Sequence, residues 1–228
     1  QEAFAAFNDA ASIPDIDLAA LYEGCAQALR NLGKIDAALT MLDSGLRSYP
    51  GHASLRFIRS LLLLGNGQYR EGWPEYEMRL KIPMRCYLPR AVTWPRFDMF
   101  SKSTPEKRLL IWSEQGFGDE IMFASLIPQL TGLFHVTFEC SRDTAPLFRR
   151  SFPDVRVFPV EFNGASSAAL AGESFDYECP LGSLPRALDL DKPFAPRDWL
   201  VTDPALTEKL QAELRGVAGD RRIVGVSW

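Results

Sequence analysis

The apolar residues of this chain change period once, and that change decides what each half can fold into. Up to Leu80 they recur at helical spacing; after Lys107 they come in short runs set between helix-length stretches. Leu18, Leu21, Tyr22, Cys25, Ala26, Leu29 and Leu32 fall on one helical face. Gly33 follows, where a helix C-terminus favours a residue tolerant of positive φ. Asp36 then precedes a second periodic stretch carrying Ala38, Leu39, Leu42 and Leu46, and Tyr49-Pro50-Gly51 ends it. The spacing predicts a helix–turn–helix of repeat length.

Residues Ala19 to His52 resemble a tetratricopeptide repeat. Tyr22 stands at the leading aromatic position, Cys25 and Ala26 at the Leu-Gly pair, and Leu29 at the inner tyrosine. Ala38, Leu42, Gly45 and Pro50 fall at the small, aromatic, small and closing-proline positions of the second helix. Small residues let the two helices approach, and large ones fill the groove of the next hairpin. A second repeat, Ala53 to about Leu80, keeps Gly72 and Tyr76 at the distances set by Ala38 and Leu42, with a lengthened turn at Leu64-Gly65-Asn66-Gly67. Ala3, Phe7, Ala10 and Pro14 read as the closing helix of an earlier repeat, so the chain is expected to open inside one. Because about three repeats make an independent stack, either upstream repeats or the second half of the chain must cover an open end. The resemblance implies a concave groove lined by Glu23, Gln27, Arg30 and Asn31 that binds a protein or peptide. A solvated polar face accounts for the same four residues equally well.

From Lys81 to Lys107 periodicity fails: Pro83, Pro89, Pro95 and Pro105 break helices and remove ladder donors. Trp94 and Phe97 suit a connector pinned across a surface. Beyond it, strands are expected at Arg108–Trp112, His135–Cys140, Val155–Val160, Phe175–Cys179 and Arg222–Trp228. Helices are expected at Ile121–Leu130, Asp143–Arg150 (Asp143 as N-cap), Leu181–Leu188 and Pro204–Leu214, and a small-residue loop at Asn163–Gly172. Repeated β-then-α order implies a parallel, doubly wound sheet. The fold class is therefore α followed by α/β: helical hairpins over 1–80, a packed connector over 81–107, and a Rossmann-like lobe over 108–228.

Between the first strand and its helix lies Glu114-Gln-Gly-Phe-Gly-Asp-Glu120. In an open parallel sheet ligands gather at the carboxyl ends of the strands, so this turn is placed for chemistry. Gly116 and Gly118 permit positive φ and let a ligand approach the backbone, and the helix start offers N–H groups to an anion. The dinucleotide fingerprint needs a third glycine where Phe123 and Ala124 stand, which disfavours NAD. Asp119 reads either as a general base or as a helix cap. Gln115 reads as a group that orients the turn or binds a substrate, or equally as a solvated loop side chain. Ser183 and Arg186 fall at the start of a later helix, near the cleft or on the surface, and Trp112 and Trp228 read as core.

The stretch Leu110-Ile-Trp-Ser-Glu-Gln-Gly-Phe-Gly-Asp-Glu-Ile-Met-Phe-Ala-Ser-Leu-Ile-Pro128 resembles the opening of heptosyltransferase-like glycosyltransferases of family nine. More closely, it is similar to bacterial proteins that fuse tetratricopeptide repeats to such a lobe. Gly72-Trp-Pro-Glu-Tyr-Glu-Met-Arg79, Pro146-Leu-Phe-Arg-Arg-Ser-Phe-Pro153, Phe175-Asp-Tyr with Pro180-Leu-Gly-Ser-Leu-Pro185, and Val224-Gly-Val-Ser-Trp228 carry the likeness along the chain. The resemblance implies the N-terminal, acceptor-holding half of a GT-B enzyme, inverting and metal-independent, whose second lobe grips a nucleotide-sugar donor. It implies Asp119 as general base, with Glu114 and Glu120 as neighbouring alternatives, and Glu114, Gln115, Gly116 and Gly118 around the substrate. Val224 to Trp228 is expected to be the first strand of that second lobe, so the chain by itself should not transfer sugar. A protein (flagellin in some family members) or a bacterial surface glycan is the implied acceptor. Two competing readings stand beside this one: a non-enzymatic adaptor built on the repeats, and a phosphate-binding α/β module using the Gly116–Asp119 turn.

Composition narrows the field further. Lys and Arg number 25 against 29 Asp and Glu, a net charge of −4 with no basic block, which argues against nucleic acid or an anionic membrane as partner. The apolar run Ile58–Leu64 is too short to span a bilayer, and Glu2, Asn8 and Asp9 stand where a signal peptide needs basic then apolar residues. Cys25, Cys86, Cys140 and Cys179 are widely spaced, and His52 and His135 add little to a ligand set. No disulfide frame, metal site or cofactor is expected, and a reducing cytoplasm is the expected compartment.

Overall fold

The computed structural model describes residues 2–82, 93–98, 100–161, 170, 172–193 and 198–225. The Asp17 carboxylate accepts the Ala19 and Ala20 amides at 3.0 and 3.1 Å and so starts helix α2 (Leu18–Asn31). Gly33, at φ 71°, turns the chain out of it. Helices α3 (Ile35–Ser48), α4 (Ala53–Gly65) and α5 (Tyr69–Tyr76) follow, and α1 (Glu2–Ala11) precedes. Each packs on the next in sequence, and α2 also touches α4, so the helices form a stack of hairpins. Ala26, Leu29, Ala38, Met41, Leu42 and Leu55 are buried between them.

Two glycines set the helix spacing. A Cβ on Gly45 would lie 2.8 Å from the Tyr22 ring, and one on Gly72 would lie 2.7 Å from the Leu64 side chain. Gly24, inside α2, has open space around it instead. Gly45→Ala is therefore expected to cost about 1–2 kcal/mol through overpacking, whereas Gly24→Ala gains roughly 0.5–1 kcal/mol from helix propensity. Urea denaturation of the two variants checks the opposite signs.

After α5 the chain tightens into a 3₁₀ turn, Glu77–Lys81. The second half builds one four-stranded sheet, all parallel, in the order β3-β2-β1-β4. Its strands are β1 (Arg108–Trp112), β2 (His135–Ser141), β3 (Arg156–Val160) and β4 (Tyr177–Pro180). Ile111 pairs with Phe138 on one side and with Cys179 on the other, and β1 and β2 are almost wholly buried, as in a sheet covered on both faces. Connector residue Arg96 makes a parallel bridge to Glu178, and Phe97 packs edge-on against Phe134.

The core does not respect the boundary between the halves. Trp73 and Tyr76 of α5 belong to the same buried cluster as Leu109, Ile111, Phe123 and Phe138, and Phe57, Leu61 and Leu64 of α4 pack against it. The α/β half thus covers the α4–α5 end of the helical stack.

Several local expectations need correction. The helix expected at 121–130 starts earlier, as α6 (Phe117–Ala124), and gives way to a 3₁₀ turn at Ile127–Gln129, where Pro128 cannot donate. Asp143 does not cap its helix: α7 (Ala145–Ser151) starts after Thr144, and the Asp143 amide donates to Ser141 Oγ. Leu181–Ser183 is a 3₁₀ turn leading into the short α8 (Leu184–Ala187). Residues 222–225 form no strand, and 226–228 lie outside the described residues, as do most of the expected 163–172 loop and residues 83–92 of the connector. The last helix, α9 (Pro204–Ala218), is capped by Asp203 and buries none of its side chains.

Candidate functional site

Strand order fixes where chemistry can sit. From β1 the chain proceeds through β2 to β3 on one side, and β4 adds to the other side. The carboxyl ends of β1 and β4 therefore flank the point where the winding reverses, the crevice in which open α/β sheets bind ligands. Ser113 to Asp119 leaves β1 there, and Leu181 to Ser183 leaves β4.

The helical half reaches into this crevice. Arg79, 1% exposed, donates from Nε and Nη2 to Glu114 at 2.5–3.2 Å, and its Nη2 also donates to Ser183 Oγ at 2.9 Å. Its Nη1 donates to Glu77 Oε1 and to the Tyr76 carbonyl. Ser183 Oγ donates in turn to Glu77 Oε2, and the Gly182 amide donates to Glu114 Oε1. Gly182 must be glycine, since a Cβ there would lie 2.9 Å from Glu114 Oε1. Burial works to lower the Arg79 pKa, but Glu114, Glu77 and Tyr76 together outweigh it and hold the guanidinium charged.

The carboxylates around the turn have different fates. Glu114, 6% exposed, is consumed by Arg79 and the Gly182 amide. Glu120, 2% exposed, accepts the Ser141 amide at 2.8 Å and the Thr144 hydroxyl, tying α6 to the end of β2. Asp119 lies between them in the first turn of α6, half-buried, and makes no side-chain hydrogen bond or ion pair among the described residues. It lines a narrow cleft with Ser113, Glu114, Gln115, Glu120, Phe123 and Gly182. The residue at the helix cap is Gly116, not Asp119, and no side chain hydrogen-bonds there.

Gly116 and Gly118 are not there for positive φ. Gly116 has φ −69° and ψ 167°, open to any residue, and Gly118 is absent from the left-handed region. No atom lies within 4 Å of a Cβ built on Gly118, and Asp119 Oδ2 is 3.8 Å from one on Gly116. The fold has no need of glycine at either position, whereas a ligand approaching the backbone does.

Gln115 turns back into the protein: its Nε2 lies 2.9 Å and its Oε1 3.1 Å from the Tyr76 hydroxyl. Burial pushes the Tyr76 phenol up to about 12, so it is neutral at physiological pH. Since the folded state keeps that proton beyond the ordinary tyrosine value of about 10, the stability it confers is complete below pH 10 and is lost as pH rises through about 12. Tyr76→Phe is expected to flatten the fall of stability over that window, measured as urea midpoints. Cys140, whose thiol burial also raises to about 12, accounts for part of the remaining slope.

Away from the turn, Glu23, Gln27, Arg30 and Asn31 share one face of α2. Gln27 Nε2 donates to Asn31 Oδ1 at 2.9 Å, Arg30 approaches Gln27 Oε1 at 3.4 Å, and Glu23 lies 3.7 Å from His52. Arg186 is exposed. A roomier cavity of about 570 Å³ opens between α5 and α6, lined by Tyr69, Trp73, Ile121 and Met122 among others, but its walls carry no acid or base. Among the described residues no three His, Cys, Asp or Glu side chains cluster as metal ligands, and no helix is long and apolar enough to cross a membrane. Arg79 and Tyr76 were missed by reasoning from spacing, because they lie 35 and 39 residues from the side chains they hold.

Protein FlbA of Caulobacter vibrioides (strain ATCC 19089 / CIP 103742 / CB 15) is 33% identical to this chain over 233 residues, covering 93% of the chain. The chain spans only 38% of the length of that relative. No protein-family model matches the chain, and no solved structure matches it.

Proposed function

We propose that this chain is the acceptor-binding half of an inverting, nucleotide-sugar-dependent glycosyltransferase of the heptosyltransferase-like kind. Its helical half, read as tetratricopeptide repeats, recognises a protein or bacterial surface-glycan acceptor. The observation that carries the reading is the state of Asp119. All three carboxylates at the carboxyl end of β1 line the cleft, and Asp119 alone makes no side-chain hydrogen bond or ion pair among the described residues. In the proposed step Asp119 takes the proton of an acceptor hydroxyl as that oxygen bonds to the anomeric carbon. The bond from that carbon to the nucleotide's terminal phosphate breaks on the opposite face, so configuration inverts. The two glycines, unneeded by the fold, leave backbone open beside the attacking oxygen. The nucleotide is held by a second lobe, for which these 228 residues supply no second sheet among those described.

The test is nucleotide release by the full-length protein from a panel of nucleotide sugars, with the acceptor followed by intact-mass spectrometry. Release coupled to a mass gain of one sugar on the acceptor is expected. A full-length protein that binds its partner but releases no nucleotide from any donor would leave the adaptor reading in its place.

A further inference from the structure

We propose that Tyr76 is a positioning residue for Asp119: by holding the Gln115 amide, it keeps that amide off the carboxylate. Gln115 and Asp119 line the same cleft. A primary amide with two N–H donors, set beside a carboxylate without partners, forms a charge-assisted hydrogen bond unless something else holds it. Here the Tyr76 hydroxyl holds it, at 2.9 Å from Nε2 and 3.1 Å from Oε1.

The hydroxyl can do this because its ring cannot move. Trp73 packs edge-on at 5.6 Å, the tilted rings of Phe57 and Phe123 lie at 5.7 and 6.1 Å, and the Arg79 guanidinium lies 4.6 Å from the ring centre. Arg79 is fixed in turn by Glu114, the neighbour of Gln115. On the far side of Asp119, Glu120 is held by Ser141 and Thr144. Gln115, Glu114 and Glu120, the polar chain neighbours around Asp119, are thus each committed elsewhere, which is how a site keeps a functional group unsatisfied in the absence of ligand. Tyr76 is 5% exposed and does not line the cleft, so it acts through Gln115 and does not touch substrate.

The inference rests on the transferase reading only for the use made of the freed carboxylate. Its first test needs no activity. In the 228-residue chain at neutral pH, Tyr76→Phe is expected to move the Asp119 carboxyl ¹³C resonance, because the released amide reaches it. Adding Gln115→Leu returns the resonance to its wild-type position, and Gln115→Leu alone leaves it there. An unmoved resonance in Tyr76→Phe overturns the proposal, as does a displacement that persists in the double variant or arises in Gln115→Leu alone. In transfer assays on the full-length protein, Tyr76→Phe should lower kcat about 5-fold, the worth of one ordinary hydrogen bond, with the acceptor KM unchanged. A purely structural role for Tyr76 gives no rescue of the carboxyl resonance by Gln115→Leu. If the wild-type protein transfers no sugar, the transferase reading falls, and the carboxyl resonance still decides the role of Tyr76.

Discussion

Arg79→Ala is expected to lower the free energy of unfolding by about 3–5 kcal/mol, the cost of leaving a buried charge without its partner. The residue left behind is Glu114, 3% exposed at its side chain, with the Gly182 amide as its remaining hydrogen-bond partner. Glu77 loses a partner as well. The pair itself contributes less than that figure, because burying both ions cost desolvation that their attraction only partly offsets. Arg79→Met with Glu114→Leu should therefore recover most of the loss. Urea denaturation of the two single variants and the double variant measures both statements. A loss below about 1 kcal/mol in Arg79→Ala, the range of exposed pairs, would show that Glu114 finds water after all. The location adds a consequence: the pair joins the 3₁₀ turn after α5 to the turn after β1, so its loss loosens the helical half from the α/β half.

Asp119→Asn has the opposite signature. In the full-length protein, sugar transfer should fall about 10²–10⁴-fold, the usual contribution of a positioned general base, while the free energy of unfolding changes by at most about 1 kcal/mol, the worth of a charge at a helix N-terminus. No hydrogen bond or ion pair of the described fold depends on its carboxylate, and only its charge at the start of α6 is lost. Glu120→Gln is the control. Both Glu120 oxygens are engaged in a buried site, so that change costs about 1–3 kcal/mol of stability and reduces transfer only through folding. Turnover and denaturation measured on the same preparations separate the two cases. Retained transfer in Asp119→Asn would remove the general-base assignment.

Much of the fold was legible because it depends on neighbours in sequence. Alternation of strand and helix signals located β1 at Arg108–Trp112 to the residue and the next three strands within about two. Helical periodicity and Gly33 marked α2 and α3, since hydrophobic spacing and helix termination are local. The misplaced boundaries lie where local signals conflict. The run expected at 121–130 contains Pro128, and the site turn gave no sign that Phe117 already lies in the helix. The helix expected at Pro204–Leu214 is present as α9, with Leu206, Leu210 and Leu214 each about half exposed.

The sequence by itself determined the two-part architecture, the parallel sheet and the position of the Gly116–Asp119 turn at the end of β1. Each follows from periodicity and from the rule that α/β sheets present their loops at the strands' carboxyl ends. Only the tertiary structure decided among three carboxylates within seven residues of one another. Glu114, Asp119 and Glu120 are indistinguishable by spacing, because what separates them is the company each keeps. Arg79 comes from a different half of the chain, and Ser141 and Thr144 from a different strand end. A carboxylate buried beside those donors becomes a structural tie, and the one they leave alone stays without a side-chain partner.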